Sequence, residues 1–171
     1  DLGMGYIYGM GKYIAYCMCK TVAVNSGIEL VWSMITNTYG VGDFSPRFMN
    51  STLRKIINGE PLQFTATTQN YDFVYVTDVA KDFYLVADKG KPYCEYTIDS
   101  GDAKPLKEFI LEMVGACGSE STPLFGDVPF TGTNMPLDTF SIEKIKNDCG
   151  FIPEVSFAEG TKFTMDWLKT I

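Results

Sequence analysis

Apolar and small residues run almost without a break from Tyr8 to Val24, and Asn25-Ser26-Gly27 stops the run. That length predicts a helix, and a helix apolar nearly all round is covered on more than one side, so it lies deep in a domain or meets a partner subunit. The next run, Ile28 to Ile35, is too continuous for a one-sided strand and too short for a second buried helix. It reads as a central strand of a parallel sheet, covered on both faces. It ends in the polar turn Thr36-Asn37-Thr38-Tyr39-Gly40, and in open α/β sheets ligands sit just outside the carboxyl ends of such strands.

Helix and strand signals then alternate. Ser45-Pro46 offers a capping hydroxyl and a first-turn proline ahead of Phe48, Met49, Leu53, Ile56 and Ile57 at helical spacing, closed by Gly59. Leu62–Thr65 and Asp72–Val76 read as short strands flanking the polar loop Thr67-Thr68-Gln69-Asn70. Asp78 is placed to cap a helix from Val79 to about Asp88. A strand over 93–98 leads to a helix from Pro105 to Gly118 with Leu106, Phe109, Ile110, Met113 and Val114 on one face. After an irregular stretch from Ser119 to Pro136, a helix is expected from about Ser141 to Cys149. The last one starts at the capping box Ser156-Phe157-Ala158-Glu159 and turns Phe163, Trp167 and Leu168 inward. The alternation says α/β.

Composition narrows the chemistry. The chain of 171 residues carries a net charge of −7, and its two arginines, Arg47 and Arg54, form no basic cluster, which disfavours a nucleic-acid partner. No apolar run suffices to span a membrane and the first residues carry no export pattern, so a soluble, cytoplasmic protein is expected. There is no histidine, which removes Ser-His-Asp and Cys-His catalysis and the commonest metal ligand; no metal site is expected. The five cysteines are scattered and read as buried, reduced thiols.

What remains is tyrosine, lysine and carboxylate chemistry. Tyr8 and Lys12 are four residues apart, hence on one helix face. A lysine ammonium there can stabilise the phenolate of a tyrosine acting as a base, whose free pKa is ~10. Tyr16 and Lys20 repeat the spacing, so the pair alone does not choose itself.

Taken together, Tyr8-Gly-Met-Gly-Lys12, Asn37-Thr38-Tyr39-Gly40, the segment Tyr71-Asp72-Phe73-Val74-Tyr75-Val76-Thr77-Asp78-Val79-Ala80, and Ile145 through Gly150-Phe151-Ile152-Pro153 resemble, in order, the extended short-chain dehydrogenase/reductase family of nucleotide-sugar epimerases and dehydratases. The distance from Tyr8 to Asn37 suits the family pattern and that from Tyr16 does not. The resemblance implies the C-terminal portion of a Rossmann-type doubly wound sheet plus the smaller α/β substrate-binding domain. Residues 1–44 would be the tail of the dinucleotide-binding domain and 45–171 mainly the substrate-binding region.

It further implies that Tyr8 is the acid/base for a sugar hydroxyl while hydride moves to or from NAD or NADP. Lys12 would lower the Tyr8 pKa and hold the nicotinamide ribose, and the Thr36 backbone would lie near the nicotinamide. Asn37 would bind a sugar-nucleotide or related small-molecule substrate near its diphosphate. The family's diphosphate-clamping arginine is Tyr71 here, and the arginine usual on the central strand is Met34. Ordinary nucleotide sugars are therefore expected to bind weakly unless Arg47, Arg54 or Lys55 reaches in. A second reading follows, an NAD(P)-dependent reductase of a non-nucleotide carbonyl compound; a third is a non-catalytic binding module that keeps the fold. Family members dimerise through the tyrosine helix, which suggests a homodimer through 8–24. No Gly-x-x-Gly-x-x-Gly opening a helix occurs. The chain therefore reads as the C-terminal half of a longer enzyme, inactive by itself, with the main cofactor-binding half absent.

Overall fold

The computed structural model describes residues 3–171 and is α/β. Helix α1 (Gly3–Ser26) is followed by β1 (Trp32–Ile35), β2 (Thr38–Tyr39), α2 (Phe48–Asn58), β3 (Gln63–Phe64), β4 (Asn70–Tyr71), β5 (Val74–Tyr75) and α3 (Val76–Lys89). Then come β6 (Glu95–Ile98), β7 (Lys104–Pro105), α4 (Leu106–Ala116), β8 (Leu124–Phe125), a 3-10 turn (Leu137–Phe140), α5 (Glu143–Cys149) and α6 (Phe157–Leu168). The strands form parallel pairs β1–β6, β2–β5 and β3–β8 and one antiparallel pair, β4–β7.

Helix α1 is long, as the apolar run requires, and ends where Gly27 adopts a left-handed φ of 66°. It is not covered as expected: Ala23 is its one fully buried residue among those described, while Tyr6, Ile7, Tyr13, Ile14, Met18 and Val22 face solvent. Strand β1 is shorter than the apolar run that predicts it. Residues 28–31 lie beside Tyr93 and Cys94, joined by Tyr93 N–H to the Leu30 carbonyl, but Tyr93 has a φ of 62° and breaks the extended backbone. The regular ladder therefore starts at Trp32 opposite Glu95. Nor is β1 central in this chain. Among the described residues it pairs on one edge only, and Met34 and Ile35 are exposed.

Two cores hold the rest. One joins α2, α4 and α6 around an aromatic cluster in which Phe109 lies 4.7 Å from Phe157 and 5.0 Å from Phe73, ring to ring. The other packs α3 and α5 on β6 through Val79, Val86, Tyr96, Ile98, Ile145 and Phe151. The Tyr39-Gly40 pair is explained by the first. Tyr39 is buried against Phe73, Tyr75 and Phe157 and donates to the Phe157 carbonyl at 3.2 Å, and a side chain at Gly40 would come within 2.6 Å of Val76.

Several local expectations need correcting. Ser45-Pro46 does not start α2, which begins at Phe48 without a side-chain cap. Asp78 does not cap α3; it lies inside the first turn, and its carboxylate accepts the N–H groups of Glu154 and Val155, tying the segment ahead of α6 to the helix. The expected strand over 72–76 divides in two because Tyr71 pairs with Lys104 whereas Val74 pairs with Thr38. Cys17 and Cys19 are exposed, on the uncovered α1; Cys149 is buried, and all five thiols are free. Phe163 faces outward, while Leu168 is buried. No helix among the described residues is long and apolar enough to cross a membrane.

The Ser156–Glu159 capping box forms as the sequence predicts, with Ser156 Oγ accepting the Glu159 N–H and the Glu159 carboxylate accepting the Ser156 N–H. Ser156→Ala is expected to cost about 1 kcal/mol of stability. Equilibrium urea unfolding of the two chains checks it, and coincident curves would show the cap to be idle.

Candidate functional site

The carboxyl end of β1 separates two concave regions. The first, about 360 Å3, is lined by Tyr8, Lys12, Trp32, Ser33, Met34 and Ile35. Helix α1 runs back along the strand: the Tyr16 ring lies 5.0 Å from Trp32, and its hydroxyl donates to Glu95, both at the strand's start. Tyr8, eight residues earlier and about 12 Å up the helix axis, is thereby carried toward the strand's carboxyl end. Tyr8 is 68 % exposed, and the Lys12 ammonium stands 5.7 Å from its ring centroid. The competing pair is more tightly bonded, with Lys20 Nζ 3.2 Å from the Tyr16 hydroxyl, a contact that raises the Lys20 pKa. That hydroxyl is occupied by Glu95 and faces the other end of the strand.

The second region, about 380 Å3, begins where the strand stops. Thr36, Asn37, Thr38, Asp43, Arg47, Phe48, Gln69, Tyr71 and Phe73 are among its walls. Its floor is aromatic: Tyr71 stacks on Phe73 at 5.6 Å, and Phe48 stacks on the same ring at 6.0 Å. Asn37 is oriented by its own amide, which donates to the Asp72 carbonyl at 3.1 Å while its backbone carbonyl accepts the Val74 N–H. The loop carrying Asp43 is braced by buried Asn50, which donates to the carbonyls of Asp43 and Ser45. Asp43 accepts the Ser45 N–H at 2.9 Å, and the Ser45 hydroxyl first, then that N–H and the nearby Arg47, hold its carboxyl below the usual range against partial burial. A smaller cavity of about 150 Å3 shares Asn37, Gln69 and Tyr71 and continues under Phe130, Thr133 and Met135. Asn70 fastens that stretch by bonds to the Asn134 side chain and the Met135 carbonyl.

The structure thus gathers Asn37, Arg47 and Tyr71 with Thr36 around one cavity, and Tyr8 with Lys12 beside the strand that leads to it. Arg54 and Lys55 sit on the exposed side of α2 and line neither region. Among the described residues no group of acidic and cysteine side chains is arranged to hold a metal ion.

Sequence reasoning passed over Gln69, Thr38, Asp43 and two buried carboxyls. Asp99 directly follows β6, is fully buried, and accepts the hydroxyl proton of Thr36, the first residue past β1. Burial pushes its pKa up to about 8, with Asp72 and Asp82 adding to the rise and the Thr36 bond opposing it. Asp82 is fully buried with neither oxygen partnered, and burial, with Asp78 beside it, raises it to about 7 against Lys81. The available signal was periodicity, since Asp82 falls in phase with the buried Val79 and Val86 on one face of α3.

Comparison with known proteins follows the same outline. A family model described as NAD dependent epimerase/dehydratase family matches residues 4–98. The human dTDP-D-glucose 4,6-dehydratase is 27% identical over 177 residues, an alignment covering 95% of this chain and 48% of that protein. A Streptomyces niveus dTDP-glucose 4,6-dehydratase is 24% identical over 84% of this chain and 43% of its own length. Among solved structures, the Thermotoga maritima UDP-glucose 4-epimerase with UDP-glucose superposes with a TM-score of 0.82 at 22% identity, covering 95% of this chain and 53% of that one. RMD from Pseudomonas aeruginosa complexed with NADPH gives 0.81 at 18% identity, covering 96% and 57%. The fold is therefore of the Rossmann-type epimerase/dehydratase kind, and the chain spans about half the length of the curated relatives it matches.

The raised pKa values of Asp82 and Asp99 fix the sign of a pH effect. Both are held protonated in the folded chain at pH values where an unfolded carboxyl, near ~3.9, has ionised. The folded state then binds more protons. Their contribution to stability is fully present below about pH 4, declines as pH rises through 7 to 8, and is flat above. Urea unfolding across pH 4–9 is expected to show that decline, and Asp99→Asn, which keeps an acceptor for Thr36, is expected to flatten it. An unchanged pH slope in the variant would contradict the assignment.

Proposed function

Because the chain belongs to the NAD dependent epimerase/dehydratase family, we propose that it is the later part of an NAD(P)-dependent enzyme of the sugar-nucleotide epimerase or dehydratase type, with Tyr8 as its acid/base. The observation that carries this is the place of Tyr8 and Lys12, on a helix face that meets β1 beside the strand's carboxyl end, next to the cavity that Asn37 and Thr36 line. A substrate seated there has its reacting carbon between the cavity and the hollow. Tyr8, as phenolate, takes the proton of the substrate hydroxyl while the adjacent C–H bond breaks, and it returns the proton when the carbonyl is reduced. Lys12 stabilises the charged phenolate, and among the described residues it has no ion-pair partner to compete.

NAD or NADP, which when bound supplies the hydride acceptor or donor, fits this chain at its nicotinamide end only. The hollow offers it a phenol, an ammonium and the open strand end. The described residues contain no glycine-rich turn leading into a helix that would hold its phosphates. A second reading, reduction of a non-nucleotide carbonyl compound, is favoured by one feature: Tyr71 stands where a diphosphate clamp would be, and Asp43 faces the same cavity as its sole arginine.

The apolar residues that α1 leaves exposed also suggest a homodimer through that helix. Met18→Glu is expected to shift sedimentation toward the monomer, and a wild-type monomer at high concentration would remove the basis for it. In the enzyme containing the cofactor-binding part, Tyr8→Phe is expected to lower turnover by at least 1,000-fold, a loss on the order of 4 kcal/mol in the barrier, with cofactor affinity nearly unchanged. Lys12→Ala should impair both. Near-normal turnover in the Tyr8→Phe enzyme would end this assignment.

A further inference from the structure

The last rung of the ladder pairs Ile35 with Ile98, so Thr36 and Asp99 leave their strands side by side at the carboxyl ends. Thr36 is part of the cavity wall, and its hydroxyl donates to Asp99. Asp99 lines neither that cavity nor the hollow beside Tyr8; it stands behind the wall. Asn37, the next wall residue, is held from the same turn. Its amide donates to the Asp72 carbonyl, and the Asp72 carboxylate accepts the N–H groups of Ser100 and Gly101, each at 2.9 Å. The turn is fixed in its own right: Gly101 has a φ of 78°, and a side chain there would come within 2.8 Å of Ile142.

The needs of the core do not account for Asp99. Asp72 satisfies its buried carboxylate with two backbone N–H groups, whereas Asp99 has the Thr36 hydroxyl for one oxygen and no partner for Oδ2. Asp82, from α3, brings a further fully buried carboxyl near enough to raise the Asp99 pKa, and neither of its oxygens is partnered. Among the described residues no cation pairs with any of these three acids. Lys81, beside Asp82 in sequence, is taken by Glu154, and on α5 Lys144 and Asp148 serve Glu95 and Lys91 at the other end of β6. An apolar side chain at position 99 would avoid the cost of burying such a group. A polar residue that breaks this rule directly behind a cavity wall, with its one bond made to a wall residue, is what a functional site shows. Burial pushes the Asp99 pKa up to about 8, so at neutral pH a neutral carboxyl accepts from Thr36, and a side-chain amide can stand in for it.

We infer that Asp99 is a positioning residue for the proposed reaction: through the Thr36 hydroxyl it fixes the Thr36-Asn37 stretch that walls the substrate cavity at the end of β1. Without that bond the backbone leaving the ladder can shift, and small misplacements of binding groups carry large losses. The inference rests on the reading of this cavity as the substrate site and adds to it a residue that touches neither substrate nor cofactor.

The test titrates the isotope-labelled 171-residue chain with uridine 5′-diphosphoglucose and follows the amide resonances of Thr36, Asn37 and Tyr71 by NMR. Affinities are compared among chains whose spectra stay dispersed, so that each is read on folded protein. The wild-type resonances are expected to move saturably. Asp99→Ala should weaken binding roughly 5- to 10-fold, Thr36→Val should match it, and Asp99→Asn, which keeps an acceptor for Thr36, should stay within about twofold of wild type. The double variant Asp99→Ala/Thr36→Val should bind no more weakly than either single one, the non-additivity expected of two residues acting through one bond. Wild-type affinity in Asp99→Ala, an Asp99→Asn chain as weak as Asp99→Ala, or additive losses in the double variant overturns the inference alone. No saturable shift in the wild-type chain removes the reading of the cavity and the inference with it. Should Asp99→Ala not fold, Thr36→Val against Thr36→Ser decides: serine keeps the donor, and equal affinities in the two overturn the inference. No cofactor or turnover enters this measurement, so its failure leaves the Tyr8 assignment standing, and failure of the Tyr8→Phe experiment leaves this one standing.

Discussion

Everything proposed for this chain depends on where β1 stops. The parallel ladder with β6 runs from Trp32 to Ile35. At the next residue the Thr36 hydroxyl is taken by the buried Asp99 carboxyl at the end of the partner strand, which fixes two adjacent strand ends to each other. Backbone leaving the ladder there is free to turn, and the following three residues divide their duties. Asn37 turns toward the cavity, Thr38 joins the β5 ladder, and Tyr39 is driven into the aromatic core. A register change of one residue would exchange the inward and outward members of that set.

The same strand end also explains why α1 matters while contributing so little to the core. Its attachment is local: Ala23 is buried near its end and Tyr16 rests on Trp32 midway. The first half projects beyond those anchors with Tyr8 and Lys12 exposed. Helix direction, rather than burial, aligns the phenol with the carboxyl end of β1. Apolar residues left uncovered on the helix and on Met34 and Ile35 are surface that association would remove from water.

Much of this was legible in the sequence, for identifiable reasons. Local signals survived: the apolar run of α1 gives a helix although its expected cover is absent among the described residues, while the Leu106–Val114 face of α4 is buried as its pattern requires and the Ser156–Glu159 box forms. The misread features were those settled by partners distant in sequence. Asp78 has the look of a cap, yet Glu154 and Val155 claim its carboxylate. The run from Asp72 to Val76 has the look of one strand, yet Thr38 and Lys104 pull its two ends into different ladders. The cavity was legible only through Thr36, Asn37, Arg47 and Tyr71. Gln69 sits in a loop whose polarity is ordinary, and its place at the cavity comes from its backbone carbonyl, which accepts the Leu106 N–H at the head of α4.

Two regions meeting at one strand end make a single claim about geometry: proton transfer on the Tyr8 side, substrate binding on the Asn37 side. The direct measurement is a crystal structure of the enzyme proposed here, bound to NAD(P) and a sugar-nucleotide substrate analogue. The account predicts the reacting oxygen within about 3 Å of the Tyr8 hydroxyl and the rest of the substrate in the cavity lined by Asn37 and Tyr71. An analogue seated away from Tyr8, or one beside Tyr8 whose remainder leaves the Asn37 cavity filled with water, would contradict it.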